Sequence, residues 1–321
     1  MNQELNLQRR IAQTIIKILK ILECNAIGGG PMYYDRQSKT LKESIEYQEG
    51  LLKFLYGTIP GRFILKTIII KPWFSNWRSK YQKSPASVKD IEPFIDKYKV
   101  NLKNTESKDW KCFNDFFIRK KNINICAAED KLISIADSKL LAYQITEDLK
   151  LKIKNSIYSI SDMLNDENLA AEYKNGTCLI FRLSVDDYHR YHYPDSGSLI
   201  VNKKIPGVLH TVRSISDKYQ VFSHNSREVN VLNTNHLGII TQIEIGALLV
   251  GKIINHGHKE FEKGQEKGYF EFGGSTIVLL LKENTVILDD DIIKYSQQEI
   301  ETKVSTGEVI GKIIKENNKN V

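Results

Sequence analysis

Two short stretches concentrate the side chains that do covalent chemistry. Asp186-Asp187-Tyr188-His189-Arg190-Tyr191-His192-Tyr193 places two His, two Asp, an Arg and three Tyr just before the turn Pro194-Asp195-Ser196-Gly197. A histidine in such company takes and returns protons near neutral pH, and a carboxylate fixes its tautomer. The second stretch, Gly273-Gly274-Ser275-Thr276, runs directly into the apolar residues 277–281. A serine hydroxyl is a weak nucleophile until a base removes its proton. On its own, Gly-Gly before a buried strand is a tight turn or bulge.

Two other patterns carry less. Gly246-Ala-Leu-Leu-Val-Gly251-Lys252 has the spacing of a phosphate-binding loop, but Ile253 stands where that loop needs Ser or Thr for magnesium. Its apolar interior suits a buried strand better. His189, His192, His256 and His258 form two close pairs, yet the second lies in a Gly/Lys/Glu-rich stretch and no third ligand type accompanies them.

The elements that must position these residues divide the chain in two. Gly28-Gly29-Gly30-Pro31 breaks it early. Residues 38–104 read mostly as helix, interrupted at Pro60-Gly61, Pro72 and Pro85, with a further short helix over 89–98. From about residue 123 the texture is short β-rich runs, at 132–135, 177–183, 199–201, 229–232, 238–245, 248–254 and 276–281. Strands and long helices do not alternate, so a doubly wound parallel sheet is excluded. The expectation is an α+β protein, with a helical basic N-terminal part followed by a mainly antiparallel β-rich catalytic domain.

Charge follows the same division. The first 83 residues hold 14 Lys and Arg against 6 Asp and Glu, while the remainder holds 32 against 33. The basic end therefore expects an anionic surface. Ile11, Ile15, Ile18 and Leu22 form one apolar helical stripe opposite Arg10, Lys17 and Lys20, as in helices that lie in a membrane interface or pack on their own domain. Phe63, Ile64, Trp73, Phe74 and Trp77 among Arg62, Lys66, Lys71 and Arg78 make a second aromatic-basic cluster. No run reaches the ~18 apolar residues of a membrane span, and Lys17 and Lys20 interrupt any secretory signal. Cys24, Cys112, Cys126 and Cys178 are scattered, with no C-x-x-C pair, which points to a reducing, cytoplasmic setting. At 41% hydrophobic and 26% charged residues, the chain is neither disordered nor fibrous.

Taken in order, Phe113-Asn114-Asp115-Phe116-Phe117-Ile118-Arg119, Tyr188-His189-Arg190-Tyr191-His192-Tyr193-Pro194 and Gly273-Gly274-Ser275-Thr276 resemble the pyruvoyl-dependent phosphatidylserine decarboxylases, in the bacterial branch with a Gly-Gly-Ser-Thr processing site. The resemblance spans about residues 33–314. It implies a zymogen that cuts itself between Gly274 and Ser275, giving a β chain of residues 1–274 and an α chain of 275–321 that stay together as a heterodimer. It places the family's Asp-His-Ser charge relay on Asp137, His192 and Ser275, converts Ser275 into a covalent pyruvoyl cofactor, and makes His189 a candidate aid to decarboxylation. The pyruvoyl carbonyl would form a Schiff base with the substrate amine and act as an electron sink. The family's Pro-x-Asp-Gly turn is here Ile135-Ala136-Asp137-Ser138, which lacks glycine's freedom at positive φ.

The domains expected on this basis are an N-terminal amphipathic extension (1–30), a helical membrane-docking region (31–111) and a β-rich catalytic domain (112–321). The expected role is conversion of phosphatidylserine to phosphatidylethanolamine and CO₂ in phospholipid biosynthesis. The enzyme would sit peripherally at the cytoplasmic face of the cell membrane and bind phosphatidylserine in an anionic bilayer. It would bind neither metal nor nucleic acid, and whether it forms a homo-oligomer stays open. Three alternatives remain: a pyruvoyl decarboxylase of a soluble amino acid, a noncatalytic membrane-binding relative, and a metal-dependent hydrolase built on His189, His192, His256 and His258.

Overall fold

The computed structural model describes residues 30–44, 49–153, 156–211, 219–248, 252–272 and 275–314. The expected N-terminal amphipathic helix, the side chains of Trp73 and Trp77, and Gly273-Gly274 lie outside the described residues.

The chain opens on a hairpin, β1 (Met32–Asp35) and β2 (Thr40–Glu43), and continues through helices α1 (Glu49–Gly57), α2 (Ile59–Ile64), α3 (Pro72–Gln82), α4 (Ile91–Tyr98) and α5 (Phe113–Phe117). Next come β3 (Lys131–Ile133), β4 (Ser138–Gln144), β5 (Lys150–Ile153) and β6 (Ser156–Ser159), helices α6 (Ile160–Leu164) and α7 (Glu167–Ala171), then β7 (Thr177–Leu183), β8 (Arg190–His192) and β9 (Gly197–Ile205). After α8 (Val221–His224) follow β10 (Arg227–Thr234), β11 (Gly238–Ile245), β12 (Ile253–Asn255), β13 (Glu260–Phe261), β14 (Glu266–Phe270), β15 (Ser275–Leu281) and β16 (Val286–Leu288). Helix α9 (Asp290–Ser296), β17 (Glu301–Val304) and β18 (Val309–Ile313) complete the described chain.

Ten strands form one sheet in the order β13-β9-β10-β11-β15-β7-β4-β17-β1-β2, antiparallel except where β1 runs parallel to β17. The α+β expectation holds. Strand β15 is buried on both faces along its length, and it is apolar from Ile277 to Leu281. Ile277, Leu279 and Leu281 pack on one side with Leu140, Phe181, Leu183, Tyr191 and Phe270. Val278 and Leu280 pack on the other with Ile180, Ile243, Met163 and Tyr173. The first side is covered by the small sheet β12-β14-β8, the second by α6, α7 and the β5-β6 hairpin.

The proline positions act as read. Pro60 and Pro72 open α2 and α3, where a missing N–H costs nothing, and Thr58 caps α2 through Gly61 N at 3.0 Å. The helical reading fails at its start, because residues 40–43 form the exposed edge strand β2. Strand expectation also fails at Gly246-Ala247-Leu248, which leave the sheet after β11. Residues 249–251 lie outside the described residues.

Two apolar clusters tie the helices to the sheet. Leu51, Leu55, Leu65, Ile69 and Phe74 pack with Leu248. Ile91, Phe94, Phe113, Phe116 and Phe117 pack with Val185 and Phe272. The second cluster positions chemistry, because Phe272 immediately precedes Gly273-Gly274-Ser275.

Candidate active site

The sheet brings the candidate residues to one edge. Strand β4 starts there, β7 ends there and β15 starts there. Lys139, Arg182 and Thr276 share a rung, and Leu183 pairs with Ser275 one step further out, so Ser138 lies on the level of Ser275 two strands away. Adjacent strands are about 4.8 Å apart, so the β4 and β15 starts are separated by roughly 10 Å. Asp137 immediately precedes β4, and the chain leaving β7 turns through Ser184–Asp187 into His189 and His192.

Ser275 is fully buried on the face shared by Ile277 and Leu279, and among the described residues its Oγ has no hydrogen-bond partner. Thr276 Oγ1, His189 Nε2 and His192 Nδ1 are likewise buried and unpartnered. Buried polar atoms are nearly always paired in native proteins. Four such atoms lie in two strand-linked segments at this end of the sheet.

Asp137 is placed firmly, but not against His192. Its Oδ1 accepts from Thr306 N (2.8 Å) and Thr306 Oγ1 (2.9 Å), and its Oδ2 pairs with Lys121. Among the described residues no hydrogen bond joins Asp137, His192 and Ser275 to one another. Asp137 acts on both histidines through its charge alone, favouring their protonated forms. The missing glycine is no obstacle: Ser138 does not occupy positive φ, and Asp137 is held by side-chain and backbone donors instead.

His192 pairs across strands with Glu266, whose carboxylate takes Arg190 Nη1 (2.6 Å) and His256 Nε2 (2.8 Å). His256 is thereby engaged by a carboxylate, and among the described residues no three His, Cys, Asp or Glu form a metal-ligand group. His189 is held by its ring. Phe117 lies over it at 4.0 Å, and Phe272 packs on Phe117 at 4.9 Å. The Phe270 N–H also donates to the His189 carbonyl at 2.9 Å. One aromatic cluster, tilted at Phe117–His189 and edge-to-face at Phe117–Phe272, therefore joins His189 to the segment that precedes residue 273.

Burial pushes the His192 imidazole down to about 4, with Lys121 adding and Glu266 and Asp137 opposing. Burial likewise lowers His189 to about 3, against the opposing bond to Asp187. Both are neutral at pH 7. Unfolding lets both take protons near pH 6.5, so stability is fully present above that value and falls as the pH drops toward 4. Unfolding free energy is expected to decline by up to about 3 kcal/mol per pH unit from these two groups. Urea midpoints of the uncut Ser275→Ala chain between pH 7 and 4.5 measure this, and His192→Gln should remove about half of that slope.

Lys121 and Thr306 carry no recognisable motif, and only their convergence on Asp137 reveals them. Phe117 and Arg119 lie in the first of the three motifs, but the Phe117 contact with His189 and the Arg119 bond to the Asp187 carbonyl are tertiary.

Comparison with known proteins identifies the family. The phosphatidylserine decarboxylase family model matches residues 113–312. A phosphatidylserine decarboxylase proenzyme 2 of Clostridium acetobutylicum is 52% identical over 282 residues, covering 87% of this chain and 97% of the relative. Proenzymes of Ruminiclostridium cellulolyticum and Fusobacterium nucleatum are 40% and 36% identical, covering 86% and 87% of this chain and 96% of each relative. With a family model over residues 113–312 and a relative 52% identical over most of both chains, the chain belongs to the phosphatidylserine decarboxylase family.

Proposed function

We propose that this protein is a self-processing, pyruvoyl-dependent carboxy-lyase that converts phosphatidylserine to phosphatidylethanolamine and CO₂ at the surface of an anionic membrane. The observation that carries this reading is the set of four buried, unpartnered polar atoms on His189, His192, Ser275 and Thr276.

Processing uses the chain's own groups. His192, neutral at pH 7, takes the Ser275 Oγ proton as Oγ adds to the Gly274 carbonyl. The Gly274–Ser275 amide becomes an ester with a free amine on residue 275. β-Elimination then releases the Gly274 carboxylate, and hydrolysis of the resulting enamine gives ammonia and a pyruvoyl group. Asp137 acts here by its charge, which favours the imidazolium as it forms. A hydroxyl already at this position, buried and free of competing bonds, fits that origin of the group. Once formed, the pyruvoyl carbonyl supplies the electron sink for decarboxylation.

After the cut the two chains remain joined as a heterodimer through the sheet. Strand β15 lies between β11 and β7, and β17 lies between β4 and β1, so each is paired on both sides with the β chain. Arg36 adds ion pairs to Asp289 (2.6 Å), Asp291 (2.8 Å) and Glu308 (3.0 Å).

Peripheral membrane docking is assigned to the α1–α3 region. No Asp or Glu occurs from residue 50 to 89, whereas eight Lys and Arg do. Ile59 and Phe63, one turn apart on α2, are 77% and 69% exposed beside Arg62 and Lys66. Among the described residues no helix is long and apolar enough to cross a membrane. An apolar tip within a basic surface suits an interface of anionic headgroups. Phe63→Asp is expected to weaken binding to phosphatidylserine-containing vesicles by about tenfold or more, from the loss of ~2 kcal/mol of apolar burial. Vesicle co-sedimentation measures it, and unchanged binding would remove α2 from the docking surface.

The function is tested by incubating purified protein with phosphatidylserine vesicles and, separately, with free serine, following CO₂ release. Turnover of the lipid alone supports the proposal. Turnover of free serine alone would transfer the assignment to a soluble amino acid.

A further inference from the structure

Arg119 follows α5 and is almost completely buried, yet among the described residues its guanidinium has no carboxylate at ion-pair distance. It donates instead to main-chain carbonyls: Nη1 to Phe116 at 3.4 Å, and Nη2 to Asp186 at 3.2 Å and Asp187 at 3.5 Å. The Phe116 ring lies 5.2 Å from the guanidinium carbon, and the charges of Asp137, Asp187 and Asp186 oppose the effect of burial, but a buried cation with no carboxylate in direct contact is costly.

The Asp187 carbonyl is shared. His189 Nδ1 lies 2.9 Å from the same oxygen. A carbonyl can only accept, so Nδ1 carries the proton and Nε2, buried and unpartnered, carries a lone pair. We propose that Arg119 is a positioning residue for His189, clamping the 186–187 carbonyls so that the imidazole is fixed as the Nδ1–H tautomer with Nε2 presented as a proton acceptor. This rests on the proposed decarboxylase reading and adds a role to it. A substrate amine arrives as an ammonium and becomes nucleophilic only after losing a proton. Nε2 takes that proton, and the imidazolium returns it to the α-carbon after CO₂ leaves.

The surroundings fit a base that is neutral at rest. Burial is the main influence on His189 and the Arg119 charge acts in the same sense, while the Asp187 carbonyl and the Asp137 carboxylate act against them. The nearby carboxylates are otherwise engaged. Asp187 Oδ2 accepts the Ser184 N–H at 2.7 Å and its charge faces Lys139 and Lys303, while Asp137 is paired with Lys121. The guanidinium uses two nitrogens here, Nη1 toward Phe116 and Nη2 toward Asp186 and Asp187, and a lysine ammonium would keep the charge and a donor toward the same carbonyls.

The test is two-bond ¹⁵N–¹H correlation spectroscopy of ¹⁵N-histidine-labelled full chain, with the His189 signals assigned from a His189→Gln sample. The expected wild-type pattern at pH 7 is a neutral Nδ1–H ring that stays neutral to pH 5. Arg119→Gln should mix the two tautomers and lower decarboxylation by about 10²-fold while cleavage at Ser275 continues. Arg119→Lys should restore much of both. A wild-type Nε2–H or charged ring would overturn the proposal, as would an Arg119→Gln chain with unchanged tautomer and turnover. If Arg119→Gln does not fold, the wild-type and Arg119→Lys spectra still decide. A Nδ1–H ring that depends on Arg119 in a chain inert toward phosphatidylserine would support the positioning role and overturn the functional reading instead.

Discussion

Ser275→Ala is expected to leave the chain whole at 36.9 kDa, while the wild type resolves into fragments of residues 1–274 and 275–321. Without the hydroxyl there is neither a nucleophile for the Gly274 carbonyl nor a precursor for the pyruvoyl group. Both cleavage and decarboxylation should therefore fall to the detection limit, a loss on the order of 10⁶-fold where a nucleophile is deleted. The fold should not suffer. Ser275 Oγ is buried with no partner, so its removal breaks no hydrogen bond and relieves an unsatisfied group. The variant should melt no lower than uncut wild type. Intact-protein mass spectrometry beside a thermal scan reads both outcomes. A wild-type chain that remains whole after prolonged incubation, with a native melting transition, would argue for the noncatalytic membrane-binding alternative.

Substituting the two histidines should separate the two reactions. His192→Ala removes the proposed base for Ser275 and should slow cleavage by about 10³-fold. His189→Ala should still cleave, since His189 is bound into the Phe117–Phe272 stack and serves the later step, yet it should slow decarboxylation by about 10²-fold or more. Gel densitometry against time gives the first rate, and CO₂ release from phosphatidylserine vesicles by the cleaved protein gives the second. If His189→Ala blocks cleavage and His192→Ala does not, the assigned roles are exchanged. If neither variant changes either rate, the orphaned imidazoles are structural.

Much of this organisation was legible in the residues. The strand limits at 177–183 and 238–245 agree with the sequence reading, because short runs rich in β-branched and apolar residues between turn residues suit buried strands. The interruptions read at Pro60 and Pro72 fall where α2 and α3 begin, through backbone chemistry that needs no tertiary context. The order of the three motifs identified the family, and the comparisons support it. Edge and marginal elements were not legible. Strand β2, Thr-Leu-Lys-Glu, is exposed along its length and has no apolar face to give it a period. Strand β8 is three residues long, and β4 begins with buried Ser138 and Lys139, which resemble a loop in one dimension.

The sequence by itself determined which groups are available for chemistry: a serine after two glycines, two histidines three residues apart and an aspartate upstream. Tertiary structure alone decided how they are engaged. Asp137 meets Lys121 and Thr306 rather than His192, and Thr306 lies after the proposed cleavage site while Asp137 and Lys121 lie before it. Arg119 reaches the carbonyl that fixes the His189 tautomer only because α5 packs beside the turn leaving β7. The physical reason is that residue type and local spacing fix covalent chemistry and strand or helix period, whereas hydrogen-bond partners and desolvation arise between segments distant in sequence. Those long-range contacts set charge, tautomer and pKa, and so decide which of the available groups can act.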